Sequence, residues 1–151
     1  MATDANVICI GKPEPHKSIA LLVGEPVPQP RVRVSTRGGF ARAYVPSNHP
    51  VHAFRQQIAM MCGGCWKTKK PVSVTITAVF KRPKSHYNKS GVKASAPLLP
   101  RADADNVAKA VLDAITDSGA IWHDDTQVAK LTVDKRYGDE GFTEIIIETN
   151  S

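Results

Sequence analysis

The chain has 151 residues, 42% of them apolar, with 20 Lys and Arg against 14 Asp and Glu and a formal net charge of +6. That size suits one globular domain with a real core, and the basic balance favours a polyanionic partner, nucleic acid before any other. Membrane functions are disfavoured: no run approaches the roughly 18–20 apolar residues of a spanning helix, no basic amphipathic helix carries a bulky apolar face, and the N-terminus lacks a secretory pattern.

In chain order, residues 1–17 read as a flexible arm with Pro13 and Pro15 and a short strand at Val7–Ile10. "SIALLVG" (18–24) is a compact apolar run that predicts a buried strand. In "EPVPQPR" three prolines impose an extended path unsuited to a central ladder. "RVRVSTRGGFARAY" predicts a hairpin about Thr-Arg-Gly-Gly, with Arg31, Arg33, Arg37 and Arg42 outward. A helix follows, with Pro50 in its first turn, Val51, Phe54, Ile58 and Met61 on its apolar face, and Gly63-Gly64 as its stop. "PVSVTITAVFK" is the clearest strand: Val72, Val74, Ile76, Ala78 and Phe80 share one face, with Ser73, Thr75 and Thr77 on the other. The polar stretch "KRPKSHYNKSGVKASAP" has no periodicity and reads as a loop. "NVAKAVLDAIT" predicts a second helix, with Val107, Val111, Ala114 and Ile115 inward. "QVAKLTVDKRY" and "TEIIIET" predict two final strands. The expected fold is α+β (mixed α/β): one domain over 18–151, with a central mixed sheet flanked by two main helices.

Four aspartates bracket the second helix in two clusters, Asp103 with Asp105 and Asp124 with Asp125. Carboxylates packed together repel unless a cation or a specific hydrogen bond accounts for them. Asp105 is expected to be the helix N-cap. Residues i and i+2 of an extended lead-in point the same way, so Asp103 and Asp105 can face one cavity. Should the strand entry at "WHDDTQV" pair near that lead-in, carboxylates from two chain positions converge. Such a cluster serves hard cations: Mg²⁺ or Mn²⁺ takes one or two carboxylates, waters and phosphate oxygens, and can position a water for attack on a phosphodiester. Lys109, one turn into the helix, could stabilise charge on that phosphate. The plainer alternative is a helix cap, an Asp105–Lys109 pair and a solvated turn.

The combination "DADNVAKAVLDAITDSGAIWHDDTQV" resembles the RusA family of Holliday junction resolvases, small phage and prophage endonucleases. Their pattern is close to D-x-D-N-x-x-K-x-x-x-D-x-L, a short gap, then W-x-D-D-x-Q-V. Asp103, Asp105, Asn106, Lys109, Asp113, Trp122, Asp124, Asp125, Gln127 and Val128 match it. The resemblance implies a homodimer, Mg²⁺ dependence (with Mn²⁺ able to substitute), and paired nicks in branched DNA such as four-way junctions, in recombination and repair. It carries the catalytic and metal-binding aspartates over to Asp103, Asp105 and Asp125, with Asp124 adjacent, and the catalytic lysine to Lys109. The chain departs from the family's familiar bacterial member in one respect. There an arginine run abuts the D-x-D, whereas "SAPLLPRA" leaves only Arg101.

Phosphate contacts are therefore sought in Arg101, in Lys81, Arg82, Lys84, Lys89 and Lys93 around Tyr87, and in Arg31, Arg33 and Arg37. Either basic segment could instead be a solubilising surface. Cys62 and Cys65 have zinc spacing but lack a second ligand pair, so with Cys9 they read as ordinary thiols of a reducing cytoplasm. His123 could act as a general base or be only a neighbour of the acidic pair. Two rival functions remain: a non-catalytic branched-DNA-binding protein whose metal site has decayed, and a D-x-D nucleotide-sugar transferase. Against the second, no Gly-rich nucleotide-binding βα unit is present.

Overall fold

A computed structural model describes residues 15–150, so the strand expected at Val7–Ile10 and nearly all of the N-terminal arm lie outside the described residues. A four-stranded mixed sheet is built from β1 (Ser18–Val23), β4 (Val72–Lys81), β7 (Val128–Gly138) and β8 (Phe142–Thr149), in the order β1-β8-β4-β7. β8 pairs antiparallel with both β1 and β4, whereas β4 and β7 are parallel. Two small hairpins stand apart from it, β2 (Arg33–Ser35) with β3 (Arg42–Tyr44), and β5 (Tyr87–Asn88) with β6 (Gly91–Val92).

The helices α1 (Val51–Cys62) and α2 (Ala104–Ser118) pack on each other and on the sheet. Val72, Val74, Ile76 and Ala78 of β4 alternate inward, and Ile145 and Ile147 of β8 stand beside Ile76 and Val74. They join Val51, Phe54 and Ile58 of α1 and Val107, Val111, Ala114 and Ile115 of α2 in one core. The opposite face of β4, Ser73, Thr75 and Thr77, is only partly covered. The expected fold class and the expected inner face of α2 are thus observed.

Three details differ from expectation. In α1 the fourth buried residue is Cys62, while Met61 is 41% exposed. At about 100° per residue, position 62 returns to within about 20° of Val51, whereas position 61 lies about 80° away. The stretch after β4 is not a featureless loop. It holds the β5–β6 hairpin, whose turn is fastened where Asn88 Oδ1 accepts the Ser90 N–H at 2.9 Å. Two-residue strands are too short to show any period. Finally, β7 is an edge strand whose side chains are mostly exposed, with Val133, Lys135 and Tyr137 half-buried toward its end.

Ile76 is fully buried at the centre of the sheet, between Val133 and Ile145. Ile76→Ala is expected to cost about 2–5 kcal/mol in urea unfolding. Thr75→Ala, on the partly covered face of the same strand, should cost less than about 1 kcal/mol.

Candidate active site

The first acidic cluster is placed by the head of α2. Asp103, with φ −71 and ψ 132, is the N-cap, and its carbonyl accepts the Val107 N–H at 3.1 Å. The helix begins earlier than expected, so Asp105 is not the cap but sits in the first turn, where its Oδ1 accepts the Asn106 N–H at 3.0 Å. A carboxylate there is favoured by the positive end of the helix. Asp103 makes no side-chain capping bond, which leaves its exposed carboxylate available. The prolyl segment before β2 crosses this first turn, where the Gln29 N–H donates to the Asn106 carbonyl at 2.8 Å.

Farther down α2, Lys109 pairs with Asp113 at 3.5 Å rather than with Asp105. The helix closes at Gly119, whose φ of 72 is a left-handed cap that any side chain would strain. Ile121 also has positive φ (69) and is fully buried. It is held by its N–H to the Trp66 carbonyl and by the Thr68 N–H to its own carbonyl, both at 2.9 Å. Trp122 is buried beside it and donates Nε1–H to Thr116 Oγ1 at 2.9 Å.

The second cluster therefore starts from a rigid base. Asp124 caps a short 3-10 turn, Asp125–Gln127, in a capping box with Gln127. Gln127 Oε1 accepts the His123 N–H at 2.7 Å and the Asp124 N–H at 3.4 Å. Its Nε2 donates to the carbonyls of Thr68 at 2.9 Å and Lys70 at 3.0 Å. One amide thus ties the acidic turn to the segment before β4. This role was not assigned from sequence, although the D-x-x-Q spacing of "DDTQ" is a capping-box signature.

The Asp125 carboxyl is raised above its ordinary range. Burial is the first cause, followed by the hydrogen bond and charge of Asp124 and the charge of Asp113, with Lys109 acting in the opposite direction. α2 contacts the 3-10 turn, and the charges of its Asp113 and Lys109 act on Asp125. Asp113 was left out of the expected site, although it continues the Asp105, Lys109 stripe at four-residue spacing. Asp103 and Asp105 remain at the helix head, Asp105 about 6 Å along the axis from Lys109. Among the described residues no three His, Cys, Asp or Glu side chains gather closely enough to hold a cation unaided.

The basic candidates separate. Lys81, Lys84, Lys89, Lys93, Arg101 and the hairpin's Arg31, Arg33 and Arg37 are all exposed, and the β2–β3 register puts Arg33 and Arg42 on the same face as Tyr44. Arg82 differs: its guanidinium lies 4.4 Å over the Tyr137 ring and donates to the Pro97 carbonyl at 3.0 Å. Cys62 is buried, and burial first, then neighbouring Cys65, pushes its thiol up to about 11. A thiol so raised is a poor metal ligand at neutral pH.

Over residues 24–148 the chain matches the sequence model of a family described as endodeoxyribonuclease RusA. It is also similar to an uncharacterized protein, YqaN, of Bacillus subtilis (strain 168). The two are 34% identical over 132 residues, which cover 82% of this chain and 90% of the relative.

Because the folded-state pKa of Asp125 is raised, the folded protein penalises its charged form. That penalty is present above the folded-state pKa and absent below the ordinary carboxylate range. Asp125→Asn should therefore raise the Tm at pH 7 by on the order of 1 °C, a small effect because the group is partly solvated. The gain should vanish in melts near pH 3, where both forms are neutral.

Proposed function

Because the chain belongs to the RusA family of endodeoxyribonucleases, we propose that it is a Mg²⁺-dependent endonuclease that resolves four-way DNA junctions by paired nicks, in recombination and repair. The observation that supports this reading most is the meeting of Lys109 and Asp113 with the Asp124–Asp125 turn, on the helix headed by Asp103 and Asp105. A carboxylate raised by burial and by the charges of Asp124 and Asp113, with Lys109 acting on it in the opposite direction, fits a divalent cation and an anionic substrate.

The oxygen donors suit Mg²⁺, which needs only one or two carboxylates when waters and phosphate oxygens complete its shell, and Mn²⁺ accepts the same set. When bound, the cation would relieve the carboxylate repulsion and polarise the phosphate. Asp103, Asp105 and Asp125 supply ligands or orient the attacking water, with Asp124 beside them. Asp113 adds negative charge at Asp125 and holds Lys109 by its ion pair. Lys109 neutralises charge that builds on the phosphate, an effect realised mainly in the transition state.

A four-way junction has two strands to cut, so two sites in a symmetric homodimer complete the reaction. The nuclease domain is assigned to residues 18–151, with residues 1–17 outside it. No described helix is long and apolar enough to cross a membrane, and the substrate places the reaction in the cytoplasm of a bacterial or phage-infected cell. The deciding assay incubates the protein with an immobile four-way junction and a matched linear duplex, in Mg²⁺ or EDTA. Magnesium-dependent nicking of the junction supports the reading, whereas junction binding without cleavage indicates a non-catalytic binding protein.

Asp103→Asn and Asp125→Asn should each lower the cleavage rate by at least about 10²-fold with folding and junction affinity retained. Lys109→Ala should lower the single-turnover rate at saturating protein more than it weakens binding. An unchanged rate with weaker affinity would make Lys109 an ordinary phosphate contact.

The exposed Lys84, Lys89 and Lys93 are expected to contact phosphates without reading sequence. Replacing all three with Gln should weaken binding to junction and duplex alike. It should also flatten the slope of log K against log salt by up to about 0.9 per lost contact, measured by titration at several salt concentrations. If neither affinity nor slope moves, the hairpin arginines become the leading contacts.

A further inference from the structure

We propose that Lys135 is a positioning residue that fixes the head of α2 and so aims Asp103. The inference rests on the reading of Asp103 as a reacting-site carboxylate. Its basis is a pair of contacts: Lys135 Nζ donates to the Pro100 carbonyl at 3.0 Å and to the Ala102 carbonyl at 2.9 Å. Lys135 stands half-buried on β7, in register with core-facing Ala78 of β4. It forms no ion pair among the described residues. Its ammonium is therefore committed to backbone oxygens, in charge-assisted bonds stronger than neutral ones.

The segment it grips has no secondary structure of its own. Residues 97–102 read Pro-Leu-Leu-Pro-Arg-Ala, and neither proline can donate a backbone hydrogen bond. Pro100 is buried while Leu98 and Leu99 are 87% and 55% exposed, so the segment has little packing to hold it. Arg82 fastens its start through the Pro97 carbonyl, and Lys135 fastens its end. The Ala102 carbonyl and the Asp103 nitrogen belong to one planar peptide, so orienting that carbonyl sets the direction in which Asp103 leaves the chain. Asp103 has no side-chain capping bond to correct its aim. The backbone plane held by Lys135 thus restrains that residue from the N-terminal side, as the Val107 N–H to the Asp103 carbonyl does from the helix side.

The test compares wild type with Lys135→Met, which keeps the stem and removes the donors, and Lys135→Arg, which keeps the charge and two donors. Hydrogen exchange in protein free of metal and DNA should show faster exchange in the methionine variant at the Val107 amide, which donates to the Asp103 carbonyl, and at the Gln29 amide, which donates to the Asn106 carbonyl, with β4 and α1 unchanged. Its single-turnover junction cleavage at saturating protein should fall about 10- to 100-fold, the scale of a roughly 1 Å misplacement. Junction affinity should stay near wild type, and Lys135→Arg should restore most of the rate and the protection. Should the methionine variant not fold, Lys135→Gln is measured in its place, with the same local exchange and rate loss expected. Wild-type exchange and rate without the ammonium would overturn the proposal. So would a normal saturating rate with weakened affinity, or a loss of protection spread over the whole molecule that arginine does not rescue. Asp103→Asn is run alongside. If that variant cleaves normally, the reading of Asp103 has failed, and exchange at the Val107 and Gln29 amides alone decides whether Lys135 is the brace.

Discussion

Parallel strands cannot be joined by a tight turn, and the pairing of β4 with β7 therefore dictates much of this molecule. The chain must leave the end of β4, travel back along the sheet and re-enter at the start of β7. α2 makes that return, and its apolar face closes the core over β4. Both acidic clusters lie at the ends of this crossover, Asp103 and Asp105 where the helix starts, Asp124 and Asp125 where the chain turns into the strand. The crossover is thus the scaffold of the candidate site, and the buried stripe of Val107, Val111, Ala114 and Ile115 is what keeps its polar face outward.

On that polar face the electrostatics are deliberately unbalanced. Among the described residues Lys109 pairs with Asp113, and it also acts on Asp125, whose other charged neighbours are Asp124 and Asp113. The result is a residual repulsion at Asp125 that the folded protein tolerates. Relief of like-charge repulsion would by itself favour an amide at that position. Burial and neighbouring charge that raise a single carboxylate in this way are the physical features that make Asp125 a candidate for chemistry.

Much of this was legible in the sequence, for physical reasons that differ by element. The period-two pattern of β4 and the spacing of Val107, Val111, Ala114 and Ile115 each report burial directly, and both were read correctly. Helix α1 was placed but its inner edge was read one residue off, because cysteine at position 62 is less conspicuous than methionine at 61. The β5–β6 hairpin could not be read, since two-residue strands carry no period and depend on Asn88 and the turn it forms. The acidic residues were visible as clusters, but which of them meet was not. That depends on where the turn after Trp122 docks, and Asp113 enters the neighbourhood of Asp125 only through the folded crossover.

The side chains that hold the site are harder to see in a sequence than those that form it, because they act on backbone atoms. Gln127 spends its amide on the Thr68 and Lys70 carbonyls, Arg82 reaches the Pro97 carbonyl, and Lys135 reaches those of Pro100 and Ala102. Each accepts a rotamer restriction to satisfy carbonyls in segments where no strand or helix supplies a donor. A Lys or Arg in a basic protein looks like a phosphate contact until its partner is known. Arg82 and Lys135 have contacts in the fold that charge alone does not reveal: Tyr137 lies under one guanidinium and two carbonyls accept from one ammonium. Exposed cations stand along the β2–β3 hairpin and around β5–β6, and also at Lys69, Arg101, Lys130 and Arg136. In the proposed reading the exposed cations would supply the electrostatic attraction and the crossover the chemistry, while Arg82 and Lys135 hold the carbonyls of the segment that leads into α2.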